Sequence, residues 1–293
     1  MDLPKPFRWN TQKWAQLGRL LVDTEGEGRR QASLMLGYLD AVRACSAQVM
    51  SHCRDASLLF VGRSPESLFD YLSGALEGTE WADRVTFLPL SIRGRTTAQI
   101  RADFPPSTLT GMRQVLTDVG LSPQGIIGGQ TRYALVDVID TGDTMESLCD
   151  FLCTWAREEA LDLSAMRRNL SIVGLTIRTE NSPSTWRWQQ NVDWLDEYPS
   201  DFVKNVSVDW AFWDTFGNWR VKPTQSHHPG RWRTDGGAKP PREENQRLGL
   251  YVAWRLYQTG RTFEERRALG RAMAAEVGMK HDWYRRIAKQ LTR

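Results

Sequence analysis

Asp137, Asp140, Thr141, Gly142, Asp143 and Thr144 are the residues of this chain whose types and spacing could do chemistry. They close the stretch from Tyr133 to Met145, in which an apolar run turns abruptly into Asp-Thr-Gly-Asp-Thr. The hydroxyls of Thr141 and Thr144, together with the unbonded N–H groups of a following helix's first turn, make a cradle for phosphate. Gly142 permits a backbone shape that residues with a side chain resist. The acids that lead into the cradle, Asp137 and Asp140, can meet sugar hydroxyls, a metal ion or a proton. Asp143 is unfavourable beside a phosphate unless its carboxylate turns to solvent.

Regular elements must hold these residues in place. Val136, Val138 and Ile139 favour a buried strand, and Met145 to Glu158 has the apolar spacing of a helix. An earlier unit has the same form. Ser57 to Gly62 is a short apolar run, Arg63-Ser64-Pro65-Glu66 opens a helix, and Leu68 to Leu76 continues it. Further strands are expected at Val85–Leu90 and Leu170–Ile177, with a helix over Ser107–Gly120 and an exposed basic loop over Ser91–Arg101. Two helices, over 11–22 and 30–50, precede them. Strands alternating with helices imply an α/β fold whose parallel sheet is flanked by helices. Ligands of such sheets sit beyond the carboxyl ends of the strands, so the turns after the first and third strands should open on one edge.

The segment VDVIDTGDT resembles the phosphoribosyl pyrophosphate (PRPP) motif of the type I phosphoribosyltransferases: an apolar strand, two acids and a Thr-Gly-any-Thr loop. The resemblance covers roughly residues 50–180, and this loop is its specific part. It implies a type I phosphoribosyltransferase-like core that moves a phosphoribosyl group from PRPP to a nucleobase or related heterocycle, releasing pyrophosphate. Residue by residue, it implies that Thr141, Gly142, Asp143 and Thr144 hold the 5-phosphate. Asp137 faces the ribose hydroxyls and a magnesium ion, and Asp140 stands at the general-base position of the purine-specific branch. The turn at Arg63 and Ser64 occupies the pyrophosphate loop, without the usual Gly-Gly pair. Gly94-Arg95-Thr96-Thr97 occupies the mobile loop, with Arg93 and Arg95 as lid residues. Val136 departs from the pattern, because an acid usually stands there. A homodimer is usual for the family.

Composition bounds the alternatives. The 293 residues are 41% hydrophobic and 25% charged, as in ordinary globular proteins. No apolar run approaches the ~20 residues that span a bilayer, and the N-terminus lacks a signal-peptide layout, so cytoplasm is the expected location. Cys45, Cys53, Cys149 and Cys153 are too scattered for a disulfide framework and read as buried free thiols. The formal charge of +3 hides an asymmetry: residues 231–293 hold 15 Lys+Arg against 7 Asp+Glu. Such helix faces are usually solvated, and nucleic-acid binding is the lesser expectation.

Residues 1–180 are expected to form the core with its N-terminal helices, and 181–293 a Trp-rich insert with C-terminal helices. Nine of 13 tryptophans lie past residue 180. Trp186, Trp188, Trp210, Trp213 and Trp219 are candidates to stack on a flat heterocycle. His227-His228-Pro229-Gly230 reads as a linker, and helices are expected near 242–258 and 263–290, with Leu248, Leu269, Met273 and Val277 inward. Beside the transferase stand a regulatory or nucleotide-binding protein of the same fold without transferase activity, and a hydrolase in which water replaces the base.

Overall fold

The computed structural model describes residues 8–11, 17, 25–129, 131–178, 188–218, 221–232 and 243–293. The helix expected over 11–22 falls almost wholly outside them, as do Trp186, Trp219 and the loop around Asp235–Gly237.

Five strands form one all-parallel sheet: β1 (Ser57–Val61), β2 (Val85–Leu88), β3 (Tyr133–Val138), β4 (Leu170–Ile177) and β5 (Val203–Val208), in the order β2-β1-β3-β4-β5. The register sets Phe60 against Val136 and Asp137 against Gly174. Side chains alternate between two cores, as the period of two demands. Leu58, Phe60, Ala134 and Val136 enter one core; Leu59, Val61, Leu135 and Ile139 enter the other. Helices therefore cover both faces, as parallel sheets require.

The first core is built with α1 (Glu25–Leu36), α2 (Leu39–His52), α3 (Glu66–Ala75) and the three C-terminal helices α10 (Glu244–Gly260), α11 (Phe263–Ala274) and α12 (Asp282–Leu291). The second takes α5 (Pro106–Asp118), α6 (Pro123–Gly128), α7 (Asp143–Glu158) and α8 (Leu163–Arg168). The short α4 (Thr97–Asp103) follows β2, and α9 (Trp210–Asn218) follows β5. No helix among the described residues is long and apolar enough to cross a membrane.

Several elements differ from expectation. The helix expected over 30–50 is two helices, because the chain turns at Gly37 and Tyr38, and Leu34 is left exposed. The loop expected over Ser91–Arg101 ends in α4, opened by a capping box in which Thr96 and Gln99 bond each other's backbone N–H. The helix expected over 263–290 is broken at Val277–Lys280, which leaves Val277 exposed at 66%. The Trp-rich segment supplies β5 and α9, neither of which its sparse apolar spacing foretold.

Candidate functional site

From β1 the chain crosses to β2 on one side and later to β3 on the other, so the crevice of the sheet lies at the carboxyl ends of β1 and β3. Both turns singled out from the sequence open there. They line a cleft of two adjoining lobes, of about 190 and 550 Å³. The smaller lobe is enclosed by residues Asp137 to Met145, with Trp213 and Gly217 opposite. The larger is lined by Gly62, Arg63, Ser64, Arg93, Lys222 and His228. Ser64, Arg93, Asp137 and Thr144 touch both.

The cradle has the shape that its sequence implies. Gly142 caps α7 in the left-handed region, at φ +91°, and its neighbour forbids a side chain as firmly as its backbone does. A Cβ there would overlap the ring of Trp188. That indole is buried behind the loop, and its Nε1 donates to Asn205 Oδ1 on β5 at 3.1 Å. Thr141 and Asp140 are exposed, and Thr144 is half-buried at the first turn of α7. Asp143 lines the smaller lobe. Hydrogen bonding from Thr141, and then from Arg93 at 3.2 Å, holds its carboxyl below the usual range.

Asp137, the penultimate residue of β3, lines both lobes and is 6% exposed. Burial pushes its carboxyl well above the usual range, against the opposing pull of the Val138 N–H, Lys222 and Arg93. Val136, one residue earlier, points to the opposite face and is fully buried in the first core.

Lys222 was not foreseen. It lies past α9 and is 8% exposed, and its Nζ donates to Phe216 O at 2.7 Å and Ser64 O at 3.5 Å. Burial lowers its ammonium to about 8, while the nearby carboxylates Glu66, Asp70 and Asp137 oppose that fall. Those acids have other partners. Glu66 accepts from Thr224 and Arg8, and Asp70 accepts from Arg8 at 2.5 Å. His228 and Ser226 also line the larger lobe, so part of the segment read as a linker is a wall of the site. His227 O accepts from Ser91 N at 3.2 Å and ties that wall to the turn after β2. No spacing signalled these residues, because they arrive from some 80 positions beyond the motif.

The two lid candidates separate. Arg93 reaches over the cleft to Asp143 and Thr141. Arg95 turns away to Asp103 at 3.0 Å and to the ring of Phe104. It lines a different depression, of about 340 Å³, on the outer side of α7. Of the candidate tryptophans, Trp213 faces the cleft, Trp188 braces the cradle from behind and Trp210 is largely exposed. All four cysteines are buried free thiols.

The magnesium ion implied by the resemblance does not fit these donors. Magnesium binds charged, accessible oxygens. Asp137 is buried, one of its oxygens accepts the Val138 N–H at 2.7 Å, and Lys222 and Arg93 are its charged neighbours. Among the described residues, no group of three or more His, Cys, Asp or Glu is placed to hold an ion.

Comparison with protein-family models, curated proteins and solved structures finds no match to this chain.

Proposed function

We propose that this chain transfers a phosphoribosyl group from PRPP to a nucleobase or related heterocycle and releases pyrophosphate, on a type I phosphoribosyltransferase-like core. The observation that carries this reading is the Asp140–Thr144 loop, which opens α7 and faces the Arg63–Ser64 turn across one cleft. Phosphate at one end of a sugar and pyrophosphate at the other require two anion sites about one ribose apart.

The 5-phosphate lies in the cradle, on the N–H groups of α7's first turn and the hydroxyls of Thr141 and Thr144. Asp137 hydrogen-bonds the ribose hydroxyls beside it. Pyrophosphate leaves the anomeric carbon with the C–O bonding pair. Arg63, Arg93 and Lys222 stabilise the charge that collects on it. The lone pair of a ring nitrogen forms the new C–N bond, and Asp140 takes the nitrogen's proton. Trp213 offers an aromatic face for the heterocycle on the same side of the loop.

Pyrophosphate release from PRPP across a panel of purine and pyrimidine bases tests this. Turnover with one class of base is expected. In Asp140→Asn it should fall by a factor on the order of 10² to 10⁴ while PRPP still binds. Silence with every base, together with no affinity for PRPP, rejects the proposal.

Burial of Val136 in the core favours a second reading, because the site then lacks one acid of the usual pair. Here the fold binds a phosphorylated nucleotide as a regulator and does not turn it over. PRPP or nucleotide affinity lost in Thr144→Ala, with no product from any base, identifies that case.

A further inference from the structure

We infer that the cleft neutralises the phosphate groups of its ligand with fixed cations, Lys222 foremost, in place of a divalent metal ion. The inference rests on the proposal that the ligand carries phosphate at this cleft.

Val136 stands where the first of two metal-binding acids would be, and strand alternation sends its side chain to the far face of the sheet. That leaves Asp137 as the one acid that lines both lobes, with an oxygen already bonded to the Val138 N–H. A carboxylate with one oxygen engaged is a weaker anchor for magnesium than a pair of acids. Cations stand around the same lobe instead. Arg63 enters from the turn after β1, Arg93 from the turn after β2, and Lys222 from the segment after α9. A divalent ion among three positive side chains is repelled, and a diphosphate is attracted.

Lys222 is held in readiness for an anion. An ammonium has three donors, and two of them meet Phe216 O and Ser64 O. Among the described residues no carboxylate forms an ion pair with Lys222; Arg8 and Thr224 both bond Glu66 Oε1, and Arg8 bonds Asp70. The third donor has no partner among the described residues, and Lys222 lines the larger lobe. The backbone at this lysine is also fixed, because Gly249 of α10 packs so closely that a Cβ would collide with Lys222 and Pro223. A buried charge without a direct counter-ion is costly, and a phosphorylated ligand removes that cost.

Calorimetric titration of the full chain with inorganic pyrophosphate and with PRPP, in EDTA and in excess magnesium, tests the inference. Both ligands are expected to bind in EDTA. Lys222→Met should weaken that binding on the order of 10- to 100-fold, as loss of a buried charge-assisted bond does. Arg93→Gln removes a largely exposed side chain. It should weaken binding in the same direction, and a folded Arg93 variant keeps the inference testable if the Lys222 variant fails to fold. Binding that appears only with magnesium overturns the inference and leaves the transferase proposal standing. Wild-type affinity in EDTA for both variants also overturns it. No binding of either ligand under either condition removes the inference and the transferase proposal together.

Discussion

Gly142 and Trp188 form a lock at the centre of the site. Gly142→Ala brings a left-handed residue with a Cβ, at ~1–2 kcal/mol, and adds overlap with the indole behind it. The expected result is a lower melting temperature and a weaker grip on PRPP. The double variant with Trp188→Ala should recover the steric part and leave the backbone part, which thermal melts of the four proteins would resolve. At Lys222 the prediction concerns pH. The group is an ammonium below about 8, and its charge disappears as pH rises through that value. Glu66, Asp70, Asp137 and Arg63 all face it. Pyrophosphate affinity in EDTA should then drop by about tenfold between pH 7 and pH 9. Titrations in Lys222→Met should lose that dependence; an equal slope in both proteins would acquit the lysine. The cradle residues were legible because strand, loop and helix start are adjacent in sequence. Lys222 and His228 were not, because nothing local distinguishes a lysine that will be buried from one that will be solvated.

The segment between β2 and α4 is held against α7 by side chains of that helix. Ser147 Oγ accepts from Arg95 N at 3.1 Å, and Asp150 Oδ2 accepts from both Thr97 N and Thr97 Oγ1 at 2.7 Å. These bonds place Arg93 over the cleft before any ligand arrives. Asp150→Ala should free the segment, seen as faster amide exchange over residues 93–97 and a several-fold weaker PRPP affinity; unchanged exchange would show that other contacts hold it. The capping box at Thr96 and Gln99 was present in the sequence, yet the density of polar residues around it suggested a loop. A second element-scale feature lies between α3 and α10. Gly74 meets Tyr257 O, and Gly260 meets Tyr71 O, so closely that neither position has room for a Cβ. The helix after the β1 turn is thereby fixed by the C-terminal region. Gly260→Val should cost more than ~2 kcal/mol by overpacking this contact, measured by chemical denaturation.

At the scale of the molecule, residues on both sides of position 180 share one continuous sheet and the core on one of its faces. Strand β5 pairs with β4 from Ile172 to Ile177, and α10 to α12 fill the core on one face. A chain ending at residue 180 should therefore show no cooperative thermal transition, because it exposes an edge strand and an apolar helix layer together. A sharp melt from that fragment would show an independent core. The basic C-terminal region also folds back on the remainder: Arg261 pairs with Glu77 and Arg286 with Glu80. Part of its charge is thus matched within the molecule. The sequence by itself determined the parallel α/β sheet, the strand–loop–helix cradle and the edge on which it opens, since periodicity and turn chemistry act over neighbouring residues. Only the tertiary structure decided that β5 completes the sheet, that Val136 faces the core, that Trp188 seals the cradle and that Lys222 reaches the cleft. Each of these depends on desolvation and packing between segments distant in sequence, and such contacts leave no local pattern.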